Sequence, residues 1–173
     1  MIRSLVASLG LLALVACNQA GAPQAAGDAP GGGEAAQGGV PQVTLTPAER
    51  AQFETLVRQY LDQSAQRNAQ GFAAVAGAEG VAALQPNGDH RFTADLRRGV
   101  SYRVIGACDN ECNDMDIEVL DPAGAVIASD VTPTDFPAVN LTPAADGRYT
   151  VRFILKTCTI APCFVGARVL QAS

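Results

Sequence analysis

Four cysteines and the acids around them are the residues of this 173-residue chain whose spacing could do chemistry. Cys108 and Cys112 close the start of CDNECNDMDIEVLD, and Cys158 and Cys163 close a second short loop. Cysteines in this number could hold zinc or form disulfides. Zinc knuckles favour C-x2-C spacing with histidine in support. Here both intervals are wider and the one histidine, His90, is distant in sequence. The chain has five cysteines; with the N-terminal Cys17 set aside, the even number left in an exported chain reads as disulfides. A link spanning more than fifty residues would stabilise by about 4 kcal/mol and a five-residue ring by about 2. Nearest neighbours meet first, however, and each interval contains Asp, Asn or Pro that can turn the chain back. The pairing expected is therefore Cys108–Cys112 and Cys158–Cys163.

Asp114, Asp116 and Glu118 alternate along one strand face and would repel unless neighbouring strands supply cations. Arg103, Arg148 and Arg152 occupy the outward positions of theirs and could do so. Calcium is the alternative, though not in an EF-hand, because the sixth-position Gly and terminal Glu of that loop are missing. Catalysis is not expected. His90 falls on an apolar strand face, no Ser or Cys nucleophile motif accompanies it, and only a carboxylate-based hydrolase stays formally open.

Composition narrows the partners. The N-terminus carries Arg3 and an apolar run from Leu5 to Val15, the pattern of a secretory signal over residues 1–16, and ends in Leu14-Val15-Ala16-Cys17. Those last four residues resemble the lipobox of bacterial lipoproteins. The resemblance implies that the Cys17 thiol receives a lipid and that the chain is cut just before it. It also implies that Asn18 favours the outer membrane; the orientation expected is toward the periplasm, with surface exposure the open alternative. Loss of Arg3 with the signal leaves 11 basic residues against 17 acids, a formal charge of −6. Neither nucleic acid nor an anionic lipid surface suits such a chain as its main partner. Trp is absent and aromatics make up 5%, which leaves little for stacking on sugars.

Residues 17–45 are rich in Gly, Ala, Pro and Gln and read as a disordered tether with a reach of roughly 30 Å. Thr46-Pro47-Ala48-Glu49 is a helix start with N-cap, Pro and capping-box Glu in their expected places. Phe53, Leu56, Val57, Tyr60 and Leu61 then recur at helical spacing, predicting an amphipathic helix within 46–70. Its stripe either packs on the rest of the fold or docks another envelope protein. Residues 71–78 carry too much Gly and Ala to assign, and a strand is expected near 79–84. Thereafter period-two runs alternate with turn signals such as Pro86-Asn87-Gly88 and Asp121-Pro122-Ala123-Gly124. About eight short strands over 79–171 predict a mainly β, antiparallel, jelly-roll-like sandwich preceded by one helix.

The stretch from Tyr102 to Phe153 resembles the bacterial pre-peptidase C-terminal domain, a β-sandwich appended to many secreted hydrolases. The resemblance rests on Asp114-Met115-Asp116-Ile117, the Gly124 turn and Gly147-Arg148-Tyr149. It implies a jelly-roll-like fold and a non-catalytic accessory role.

Strict antiparallel succession would gather the connections 86–89, 108–113, 130–135 and 158–163 at one end. That end would collect Asp89, Asp109, Glu111, Asp114, Asp130 and Asp135 with Lys156 as the nearby cation. The function expected is a lipid-anchored envelope binding or accessory module that requires no cofactor. Its candidate ligand is Ca²⁺ or a cationic peptide, held through Asp109, Asp130 and Asp135. A structural or stress-related protein that presents its helix to a partner is the second reading.

Overall fold

The computed structural model describes residues 39–173; Cys17, the signal and most of the tether lie outside the described residues. Helix α1 spans Pro47–Asn68. The Glu49 amide donates to the Thr46 hydroxyl at 3.3 Å and the Thr46 amide to the Glu49 carboxylate at 2.7 Å, closing the capping box that the sequence announces. Eight strands follow: β1 (Phe72–Leu84), β2 (Asp89–Leu96), β3 (Tyr102–Cys108), β4 (Cys112–Leu120), β5 (Val126–Asp130), β6 (Ala138–Leu141), β7 (Gly147–Cys158) and β8 (Cys163–Ala172).

They form two four-stranded antiparallel sheets, ordered β1-β8-β3-β6 and β2-β7-β4-β5. Only the β4–β5 hairpin stays within one sheet; every other connection crosses to the opposite one. This is the winding of a jelly roll. Between the sheets the period-two residues interdigitate: Val104, Val165, Ala167 and Val169 from one, Met115, Ile117, Val119, Val151, Phe153 and Leu155 from the other.

The first sheet is covered on its outer face as well. Val57 and Leu61 of α1 pack on Ile105, Ala107, Phe164 and Leu170, so β3 and β8 are buried on both sides. The apolar stripe of the helix thus serves its own domain. Close approach is what the small residues permit. A Cβ on Gly166 would stand 2.9 Å from Val57 Cγ1 and 3.1 Å from the Gly80 carbonyl, and one on Gly80 would stand 2.9 Å from Phe92.

Two boundaries differ from expectation. The segment 71–78, unassigned from sequence, is the first half of β1, which pairs with β8 from Phe72 onward with an irregularity between Ala74 and Glu79. Its Gly and Ala residues hide the alternation: Gly71 and Gly77 stand at positive φ, Ala73, Ala74 and Ala76 are exposed, and of the alanines only Ala78 is buried. The end of the expected tether is also not free chain. Gln42 bridges Ala161 in parallel, Val40 packs against the inter-sheet core and Leu45 against the helix-side core, so residues 40–45 form a docked strap.

Candidate functional site

Both disulfides form between sequence neighbours, Cys108–Cys112 and Cys158–Cys163. They stand side by side. Cys112 of β4 is the register partner of Cys158 of β7, the Thr159 amide donates to the Glu111 carbonyl at 2.8 Å, and the Asp109 amide donates to the Phe164 carbonyl at 2.9 Å. The other two connections meet the same end: the Asn87 amide donates to the Leu155 carbonyl at 2.7 Å, and the Met115 amide to the Thr134 carbonyl at 3.0 Å. The helix reaches it through the Tyr60 hydroxyl, which donates to Asn110 Oδ1 at 2.9 Å. The result is a rigid end of four stitched loops.

The acids there do different work. Asp109 is 3% exposed, and its Oδ2 accepts the Phe164 amide at 2.7 Å. Burial pushes its pKa up more strongly than the amides of Phe164, Glu111 and Cys112 pull it down. Asp130 spends one oxygen on the Thr132 amide at 3.1 Å and the other on Ala138 at 2.9 Å. Burial there acts upward, but the combined amide bonds outweigh it and hold the carboxyl below its usual range. Asp135 lies half-buried in the β5–β6 connection. Asp109 and Asp130 therefore hold backbone in place, and the expected trio of Asp109, Asp130 and Asp135 does not converge. Among the described residues no three His, Cys, Asp or Glu side chains are grouped to hold a metal ion, so the calcium expectation finds no ligand set.

The cations are also arranged differently from the sequence reading. On β4 only Glu118 meets the expected partner, Arg152, at 3.2 Å; Asp116 pairs with Lys156 at 3.6 Å, and Asp114 accepts the Thr134 amide at 3.3 Å. Burial raises the Asp116 carboxyl in spite of Lys156. Arg103 donates to the Asn68 carbonyl at the end of α1, and Arg148 pairs with Asp95 in the β2–β7 register. Asp89 is not an unpaired acid: Arg152, with Arg91, holds it and draws its pKa down. His90 packs its ring 5.2 Å from Phe153.

The sequence reading missed the strap. The Val43 amide donates to the Ala161 carbonyl and the Ala161 amide to the Pro41 carbonyl, both at 2.8 Å, so residues 41–43 lie along the second ring. The alternation of Val43 and Leu45 just ahead of the helix start was the signal. No family model matches this chain, and no curated protein matches it. Among the described residues no helix is long and apolar enough to cross a membrane. Disulfides of this kind persist in oxidising, extracytoplasmic surroundings.

Proposed function

We propose that this chain is a lipid-anchored binding or accessory module of a bacterial cell envelope, held by Cys17 in the outer membrane and facing the periplasm, with no catalysis of its own. The observation that carries the reading is the stitched end of the sandwich. Two disulfide rings close the 108–112 and 158–163 connections, and at this end Asp109, Glu111, Asp114, Asp130 and Asp135 have no ion-pair partner among the described residues. Rigid loops on a sandwich are where such folds hold ligands, and this charge suits a basic partner in the envelope. The helix-presenting alternative is weakened because Val57 and Leu61, the centre of the apolar stripe, are fully buried on β3 and β8.

Photo-crosslinking in intact cells tests the reading. Crosslinkers at Glu111 and Asp135 are expected to capture an envelope protein, while crosslinkers on the solvent side of the helix, at Gln59 and Gln66, are not. Capture from the helix alone would replace the module by the presenter.

A further inference from the structure

Beside the rings, a cleft of about 390 Å³ opens between the strap, the start of α1 and the tip of the Cys158–Cys163 loop. Val43, Phe53 and Ile160 supply apolar walls, and Asp109, Glu111 and Glu49 supply its acids. Val43 is 45% exposed and Ile160 38%, so large apolar side chains that a fold would ordinarily cover stand on one opening. Both are fixed from behind. The 2.8 Å bonds between strap and Ala161 hold one, the disulfide-closed loop holds the other, and Phe53 is stacked on Phe164 with ring centres 5.1 Å apart. A cleft already formed does not cost its ligand the entropy of ordering loops. Its volume falls in the range of small-ligand and side-chain sites.

Charge narrows the occupant. No Lys or Arg lines the cleft. Glu49 uses Oε2 in the capping box and Glu111 uses Oε2 on the Thr159 hydroxyl at 2.5 Å, while Oε1 of each accepts no hydrogen bond among the described residues. Asp109 is almost wholly buried, and its Oδ1 makes no well-formed hydrogen bond, although the Glu111 and Cys112 amides lie close enough to the carboxylate to draw its pKa down. A buried carboxylate oxygen without such a bond is costly, and a cation nearby would offset that cost. A bare metal ion would leave the apolar walls unused and would lack ligands, since no group of three suitable side chains stands together among the described residues. The chain's own residues 18–38 contain Asp28 and Glu34 but no Lys or Arg, so they cannot neutralise the site. What fits is a positive charge carried on, or next to, a bulky apolar group.

We propose that this cleft binds a segment of a partner polypeptide in which a Lys or Arg is flanked by a bulky apolar residue. The apolar side chain lies between Val43 and Ile160, and the cation lies over Glu111 and Asp109. This rests on the reading of the chain as a binding module and specifies the chemistry of its site.

The test titrates the full chain carrying Cys17→Ser with the capped peptide acetyl-Leu-Arg-Leu-amide while amide resonances are followed by NMR. Saturable shifts are expected at Val43, Glu111 and Ile160. Affinity should fall by about tenfold, a loss of 1.4 kcal/mol, when Gln replaces the peptide's Arg, and similarly when Gly replaces its Leu residues. Glu111→Gln and Ile160→Ser should each weaken binding by several-fold with unchanged thermal unfolding, which separates a lost contact from a lost fold. Absence of saturable shifts, or shifts indifferent to both substitutions, overturns the proposal. A crosslinker at Ile160 in cells distinguishes the levels of failure. A partner captured at Asp135 and not at Ile160 removes the cleft but leaves the module; no partner from any loop removes both; and capture of a second copy of this chain removes the foreign partner.

Discussion

Asp109 divides its carboxylate between two tasks: Oδ2 ties the first ring to the Phe164 amide, and Oδ1 is buried without a well-formed hydrogen bond. Because burial raises its pKa, the native state binds a proton more tightly here than the unfolded chain does. The group's contribution to stability is therefore fully present below the unfolded carboxyl value of about 3.9 and is lost as pH rises through the folded value. Asp89 behaves oppositely. Arg152 and Arg91 draw it down, so its contribution is present above the unfolded value and is lost as pH falls through the folded one. The variant Asp109→Asn keeps an acceptor for the Phe164 amide and cannot ionise. In urea titrations between about pH 3.5 and 7, the stability of the native chain minus that of Asp109→Asn should decline as pH rises. A difference that stays flat would mean that Asp109 titrates as an ordinary carboxyl. Which acids are free and which are committed was not legible in the sequence. The decisive partner of Asp109 lies 55 residues away, and it is a backbone amide that no side-chain pattern reports.

Among the elements, the second ring has two roles that can be separated. It closes a loop of sequence separation 5, and the Ala161 inside that loop holds the strap through Val43 and Pro41. Replacing Cys158 and Cys163 together by Ala should lower unfolding stability by about 2 kcal/mol from loop entropy. It should also speed hydrogen exchange at Val43 and Ala161. Replacing Cys108 and Cys112 should carry a similar cost and leave the Val43 amide protected. Equal exchange in both variants would show that the strap is held independently of the ring. The seat of the helix gives a second test. A methyl group on Gly166 meets Val57 Cγ1 at 2.9 Å and Val81 Cγ2 at 3.0 Å, so Gly166→Ala is expected to cost about 1–3 kcal/mol by overpacking. Val57→Ala should recover part of that loss when combined with it, since the two sites share one contact. Strictly additive penalties would mean that the helix does not press on β8. The helix itself was legible because its signals are local, an N-cap, a Pro and a 3.6-residue period. The first half of β1 was not, because exposed Ala73, Ala74 and Ala76 and the positive-φ Gly77 carry no apolar–polar alternation. The strap was not either, because its pairing partner Ala161 is distant in the chain.

The described residues form three layers, helix on sheet on sheet. Asp109, Glu111, Asp114, Asp130 and Asp135 stand without ion pairs at the ring end, whereas the opposite end carries Arg97 and Arg98 on the exposed β2–β3 connection together with Asp121 and Asp146, the last of which accepts the Arg98 amide at 2.6 Å. Period-two runs made the sandwich legible, and antiparallel succession made the gathering of loops legible, since both follow from local geometry repeated along the chain. On the proposed envelope reading, retention at a membrane needs a source. The described residues hold no helix able to cross a bilayer, and a chain cut before Cys17 would carry a net charge of −6 and be repelled by anionic headgroups. A lipid on Cys17 would supply the missing term of attraction, since stable anchoring needs more than a single acyl chain and a diacylglyceryl thioether meets that need. Cys17→Ser is accordingly expected to move the protein from the membrane pellet to the soluble envelope fraction, with both disulfides and the unfolding midpoint unchanged. Mass spectrometry of the native chain should find its first residue to be an acylated Cys17. If Cys17→Ser stays in the pellet after a high-salt wash, the protein is held by another route, and the anchor, together with the placement in the outer membrane, is wrong.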